Sequence, residues 1–327
     1  MSKGALLEKH RDALRESEQP DWAEPMLATL TRDYFDDPSW IYERKLDGER
    51  CLAFKSDEKV DLLSRNRKPL NKAYPEIVEA LSRQDGSFIV DGEVVAFEGD
   101  VTSFSKLQQR MHKEGDAENT GIDVYYYVFD IVHMDGYDTT EVKLRHRKQL
   151  LKARLDYGDP VRYTKHVNEK GLEYHEEACR KGWEGVIAKD GASEYLYTRS
   201  RKWLKFKCRN QQELVVGGYT EPKGEREHFG ALLLGYYDGG KLRYAGKVGT
   251  GYTDETLETL GDRLKEIEVE DPPYNEDVHE RDAHWVRPEL VCEVKFTEWT
   301  DNNKLRHPSF LGLRRDKDPE EVVKEAP

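Results

Sequence analysis

Apolar, β-branched and aromatic residues gather along this chain in short runs that read as strands. These are Trp40 to Arg44, Cys51 to Lys55, Val60 to Ser64, Phe88 to Phe97, Val124 to Val132, Gly185 to Lys189 and Trp203 to Lys207. Helical spacing appears between them. Pro75 to Leu81 starts with proline in its first turn, Phe104, Leu107 and Met111 mark one helix face, and Asn168 to Lys181 closes on Gly182. Strands with interspersed helices predict an α+β first domain.

After Cys208 the texture changes to glycine-punctuated strands. Leu214 to Tyr219 is followed by Ala231 to Tyr237, a turn at Asp238-Gly239-Gly240, and Leu242 to Val248. A helical pattern from Asp254 to Ile267 precedes one more strand, Leu290 to Phe296. Four or five strands with one helix predict a small C-terminal OB-fold β-barrel. At 327 residues the chain has room for two cores. We place the domains at residues 1–209 and 210–327, dividing in the polar stretch Arg209-Asn210-Gln211. No internal repeat is present, and the acidic tail after Asp318 is the one hint of low complexity.

Composition narrows the function classes. The start, charged through Glu18, lacks the apolar run of a signal peptide, and nothing later approaches a membrane span. A soluble, cytoplasmic, nucleoid-associated protein is expected, with no membrane partner. The four cysteines, Cys51, Cys179, Cys208 and Cys292, form no Cys-x-x-Cys pair and read as free, mostly buried thiols. The ten histidines form no recognisable ligand pair, so any metal should be a hard ion held by oxygen. A net charge of -13 counts against phosphate binding, but the distribution is uneven. Arg199, Arg201, Lys202, Lys205, Lys207 and Arg209 stand together with no acid among them, and Lys304, Arg306, Arg314, Arg315 and Lys317 form a second cluster. Basic tracks on an acidic body suit a nucleic-acid partner.

The stretch with the most chemistry is Tyr42-Glu43-Arg44-Lys45-Leu46-Asp47-Gly48-Glu49-Arg50. On an extended strand Glu43 and Lys45 share one face, with Trp40, Tyr42 and Arg44 on the other, and Asp47-Gly48 supplies a turn. A lysine amine titrates near about 10.4, so nucleophilic use requires burial or neighbouring cations that favour its neutral form. Five further motifs follow in order. Ser64-Arg65-Asn66 ends a strand. Asp91-Gly92-Glu93 puts two acids on one face. Tyr125 to Asp130 offers a stacking ring, Glu184-Gly185-Val186-Ile187 another acid, and Trp203-Leu204-Lys205-Phe206-Lys207 two lysines on one strand face. Singly, each has an ordinary structural explanation, such as strand-end acids, a core aromatic or a turn cation. Together they suit nucleotidyl transfer: two cations clamp an α-phosphate, two carboxylates hold a divalent ion, and a ring stacks on a base.

These six segments resemble the motifs of the covalent nucleotidyltransferases, and the likeness is closest to ATP-dependent DNA ligases. Leu305 to Lys317 is also similar to the C-terminal arginine-x-aspartate-lysine motif of the DNA ligases, in the form found in the ligase module of prokaryotic end-joining ligases. The resemblance spans nearly the whole chain. It implies a nucleotidyltransferase (adenylation) domain of antiparallel sheets with helices, followed by the OB domain. It also implies ATP as substrate and Mg2+ or Mn2+ as cofactor.

Carried onto this sequence, the resemblance implies that Lys45 is adenylylated and that Glu43 lies near the adenine edge. Arg50 and Arg65 would contact ribose and phosphate, and Glu93 and Glu184 would support the metal, Glu93 also lying near the ribose. Phe129 would stack on adenine, with Tyr127 as the alternative. Lys205 and Lys207 would hold the α-phosphate with help from Arg199, and Arg314 and Lys317 would orient the leaving pyrophosphate. The implied reaction seals nicked or broken double-stranded DNA in repair or end joining, through a lysyl-AMP and a 5′-adenylylated end. The C-terminal domain would swing on a hinge near Arg209, since the pyrophosphate groups serve only the first displacement. The stretch before Lys45 is too short for a separate DNA-binding domain. Weak, salt-sensitive nick binding by a monomer, aided by a Ku-type end-binding partner, is therefore expected. An RNA ligase or a capping-type guanylyltransferase shares the lysine chemistry, and a non-catalytic nucleic-acid binder built on the barrel is a different class of reading.

Overall fold

The computed structural model describes residues 8–57, 59–111, 120–222, 224 and 227–325. The chain divides into two compact units, the first ending at Cys208 and the second starting at Arg209. In chain order the first contains β1 (Leu27–Leu30), β2 (Trp40–Lys45), β3 (Glu49–Ser56), β4 (Lys59–Ser64), α1 (Pro75–Ser82), β5 (Phe88–Glu98), α2 (Phe104–Met111) and β6 (Val124–Met134). It continues with α3 (Leu144–Arg154), β7 (Val161–Tyr163), β8 (His166–Asn168), α4 (Gly171–Arg180), β9 (Gly185–Asp190) and β10 (Arg199–Lys207).

Two sheets result. One runs β6-β5-β3-β4, continued beyond β6 by the short strands Tyr137–Asp138 and Arg15–Glu16, with β7 parallel to β6. The other runs β8-β2-β9-β10-β1 and is antiparallel except where β10 meets β1. Alternation along each strand gives each of these sheets an apolar outer face and an inner face that mixes apolar residues with charges. Ile77 and Leu81 of α1, Phe104 and Leu107 of α2, and Leu150 and Leu151 of α3 cover the outer face of the first sheet. Each such burial contributes about 1.5–3 kcal/mol. Helix α4 covers the outer face of the second sheet over Tyr42, Val186, Ala188 and Phe206. The inner faces meet through Leu52, Phe54, Ile89, Phe129, Val132 and Trp203.

Helix α3 was not foreseen from the sequence. Its residues Leu-Arg-His-Arg-Lys-Gln-Leu-Leu-Lys-Ala-Arg bury Arg147, Lys148 and Arg154 along with the leucines, so the inward face carries charge and the apolar period is erased.

The second unit contains β11 (Asn210–Thr220), β12 (Leu232–Asp238), β13 (Lys241–Val248), α5 (Asp254–Glu266), β14 (Ala283–Phe296) and β15 (Ser309–Leu313). Its sheet runs β13-β12-β11-β14, and β15 lies along the other edge of β14. The Thr253 side chain accepts from the Thr256 N–H and caps α5, whose Leu260 and Leu264 cover the core. Among the described residues β13 and β15 do not pair, so the sheet is not closed into a hydrogen-bonded barrel. The outer edge of β14 is shared by β15 and by the short strand Glu268–Val269, and neither continues round to β13. Strand β14 starts seven residues earlier than the apolar run beginning at Leu290, because Arg287-Pro288-Glu289 interrupts the pattern.

One cysteine expectation is corrected. Cys51 and Cys292 are buried free thiols, but Cys179 and Cys208 form a disulfide. The packing of α4 on the end of β10 brings together residues that sequence spacing keeps apart. Among the described residues no helix is long and apolar enough to cross a membrane.

Candidate active site

The site is built where the two sheets face each other. Lys45 lies opposite Gly185, which lies opposite Lys207, and Glu43 lies opposite Ile187, which lies opposite Lys205. By alternation Glu43, Lys45, Ile187, Lys189, Trp203, Lys205 and Lys207 share one face. On the facing sheet Arg50 pairs with Glu93 and Leu52 with Asp91, so Arg50, Asp91 and Glu93 share a face too. Two glycines keep the backbones close. A β-carbon on Gly48 would strike the Val94 carbonyl oxygen, and one on Gly185 would strike that of Phe206.

Lys45 is ion-paired with Glu184; the two side chains are 19% and 5% exposed. Burial lowers the affinity of the amine for its proton and Lys207 adds to this, but the Glu184 carboxylate outweighs both and holds Lys45 above its ordinary value. The neighbouring cation therefore does not by itself deprotonate the amine, contrary to the simplest sequence argument.

Glu43 is buried and bound to two lysines, Lys148 at 2.5 Å and Lys189 at 2.6 Å. Burial pushes its carboxyl up, and the two ammonium groups more than reverse that, leaving it below the ordinary carboxylate value. Burial, with Lys148 nearby, pulls Lys189 down despite its partner. Lys189 Nζ lies 4.3 Å from the Phe129 ring centre and 3.9 Å from that of Trp203. Arg50 covers Phe129 at 4.7 Å and makes a forked pair with buried Asp91, at 2.5 and 2.6 Å. Tyr195 donates to the same carboxylate at 2.7 Å. Phe129 thus belongs to the inner cluster. Tyr127 instead accepts from Arg162 at 3.0 Å and lines an outer cleft with Arg44 and Arg162.

The other anticipated residues are spread more widely. Arg65 follows the end of β4 and is half-buried. Arg199 is exposed at the far end of β10, donating to the Ala28 carbonyl at 2.7 Å. In the second unit Arg314 is buried, forked onto Asp316 at 2.9 and 2.8 Å and paired with Glu293 at 3.0 Å. Lys317 pairs with Glu213 at 3.0 Å. Arg314 is thus committed to neighbouring acids.

Sequence reasoning missed Lys148, Lys189, Tyr195 and the structural role of Asp91. Lys189 was within reach, because alternation from Gly185 through Ile187 arrives at it. Lys148, in a helix with no clear apolar face, carried no such signal.

Glu93 and Glu184 offer carboxylate oxygens, the donor type a hard divalent ion requires. Asp91, held by Arg50 and Tyr195, is not available as a third. A site of one or two carboxylates completed by substrate phosphate and water suits magnesium, and the residues present fit it.

Family models describe the same division of the chain. An ATP dependent DNA ligase domain matches residues 25–207, and an ATP dependent DNA ligase C terminal region matches residues 225–317. The multifunctional non-homologous end joining protein LigD of Pseudomonas aeruginosa is 37% identical over 94% of this chain and 37% of its own length. That of Mycolicibacterium smegmatis is 34% identical over 98% of this chain and 42% of its own. The chain therefore spans less than half the length of these relatives. A solved structure of mycobacterial DNA ligase D complexed with ATP and MES is 31% identical with a TM-score of 0.68, covering 94% of this chain and 100% of that one.

Proposed function

Because this chain belongs to the ATP-dependent DNA ligase family, we propose that it seals breaks in duplex DNA through a lysyl-AMP intermediate on Lys45. The observation that carries the reading is the placement of Lys45, between Glu184 and the Lys205/Lys207 strand, on a face directed toward Arg50, Glu93 and Phe129.

Glu184 turns away from Lys45, and burial together with Lys207 then favours the neutral amine. Its lone pair attacks the α-phosphorus of ATP, forming a P–N bond as the P–O bond to pyrophosphate breaks. Lys205 and Lys207 hold the α-phosphate, while Arg199, at the far end of β10 on the Ala28 carbonyl, stays outside this clamp; Arg50 and Arg65 serve ribose and phosphate; Phe129 stacks on adenine while Glu43 fixes the lysines behind it. Magnesium or manganese on Glu93 and Glu184 would supply charge neutralisation at the phosphate. The AMP passes next to the 5′-phosphate of the break, and the 3′-hydroxyl displaces it as the strand is rejoined. Lys317 serves the first displacement only, while Arg314, held by Asp316 and Glu293, keeps that ending in shape. The end-joining assignment draws on the likeness to the LigD end-joining proteins, and a Ku-type partner at the DNA end is our extension of it.

The test is covalent labelling. Protein incubated with ATP labelled on the α-phosphate and magnesium should acquire label that chases into sealed product on addition of nicked DNA. Lys45→Ala should acquire none, and GTP should not replace ATP. Labelling of the alanine variant would overturn the choice of nucleophile.

A further inference from the structure

Beyond the ligase site, the first unit brings two cysteines and a histidine together at the end of β10. His175 and Cys179 are four residues apart on α4 and so lie on one helix face. Cys208 directly follows β10 and is bonded to Cys179. His175 Nε2 is 3.6 Å from Cys179 Sγ, and an imidazole nitrogen and the two Sγ atoms all lie within 4.8 Å of one another. Among the described residues this is the only such group of three or more possible ligands.

The surroundings orient the imidazole. The Tyr34 ring lies 4.3 Å from it, and the Tyr34 hydroxyl donates to the Lys207 carbonyl at 2.9 Å. The Lys207 backbone lies beside the imidazole, and Nε2 faces the Cys179 sulfur. Two thiolates and one imidazole form a donor set suited to zinc, with bond lengths of about 2.3 Å to sulfur and about 2.0–2.1 Å to nitrogen. Tetrahedral angles at those lengths separate nitrogen and sulfur by about 3.6 Å, close to the spacing already present.

We propose that His175, Cys179 and Cys208 form a redox-gated zinc site, closed as a disulfide when oxidised and able to take zinc when reduced. A dithiol reductant transfers two electrons and two protons to the cystine sulfurs and leaves as its own disulfide. Zinc then displaces the two thiol protons, and water completes the tetrahedron. Either link ties α4 to the residue after Lys207, whose N–H donates to the Glu184 carbonyl at 3.0 Å. The site's existence does not depend on the ligase reading.

Cobalt(II) is the probe. The full chain is reduced with a phosphine, which together with water yields two thiols and a phosphine oxide, then freed of reductant under argon and titrated. One equivalent should produce tetrahedral cobalt bands in the visible and a thiolate-to-cobalt band in the near ultraviolet, both abolished by zinc. The oxidised protein and Cys179→Ser with Cys208→Ser should show neither. His175→Ala should bind at least about tenfold more weakly, having lost one of three protein ligands. Absence of the thiolate band from reduced wild type, its persistence in the double serine variant (which retains Cys51 and Cys292), or unchanged affinity in His175→Ala would overturn the proposal. Circular dichroism of the same samples checks that each variant is folded.

Discussion

Replacing Glu184 by glutamine separates two influences that meet on Lys45. The carboxylate holds the ammonium above its ordinary value, while burial and Lys207 act the other way. Lysyl-AMP formation should accelerate with rising pH as the amine loses its proton. Removing the negative charge lowers the folded-state value, so in Glu184→Gln the rising limb should move to lower pH even though the plateau rate falls with the loss of a carboxylate we propose to hold the metal. Lys207→Met should move the limb the opposite way. Rates of label uptake between pH 6 and about 10 measure both. A limb that stays in place in both variants would show that Lys45 titrates independently of its neighbours. Glu43→Gln tests the second cluster. It leaves Lys148 and Lys189 buried without their shared counter-charge, and should cost about 3–5 kcal/mol in urea unfolding.

At the level of elements, the RxDK-like ending separates into two jobs. Arg314→Met strands Asp316 and Glu293 in a buried setting and should destabilise the second unit by about 3–5 kcal/mol. Lys317→Ala, at a half-buried position, should leave the unfolding midpoint nearly unchanged while slowing label uptake, with sealing of already adenylylated DNA unaffected. Stopped-time label uptake and a nick-sealing assay on pre-adenylylated substrate distinguish the two. These elements also show where sequence reading succeeded. Strands β2, β5, β9 and β10 were legible because β-branched and aromatic residues alternate in them with the very charges that make the site. Helix α3 and the first half of β14 were not, since buried cations in one and a proline in the other remove the periodic signal. The motif residues could be located from their order along the chain. Their partners could not, because ion pairs such as Glu43 with Lys148 join positions 105 residues apart.

For the whole molecule, the net charge of -13 makes the basic end of β10 the feature to test in DNA binding. Arg199, Arg201 and Lys202 are exposed there. Nick affinity should fall steeply with salt, with a log–log slope of about -0.9 for each phosphate neutralised. Arg201→Gln with Lys202→Gln should reduce that slope by about 2 if each side chain holds one phosphate. Fluorescence anisotropy with a labelled nicked duplex over a series of salt concentrations gives the slope directly. An unchanged slope would place the DNA contacts elsewhere.

Gly185 sits between the strand that carries Lys45 and the strand that carries Lys207, so two ladders of backbone hydrogen bonds set the spacing of those two residues, our proposed nucleophile and phosphate clamp. Neighbouring strands lie about 4.8 Å apart whatever their side chains, which makes this gauge insensitive to sequence. Trimming core residues around it should therefore lower the melting temperature well before it alters the rate of self-adenylylation, whereas a single methyl group on Gly185 should disturb the rate at once.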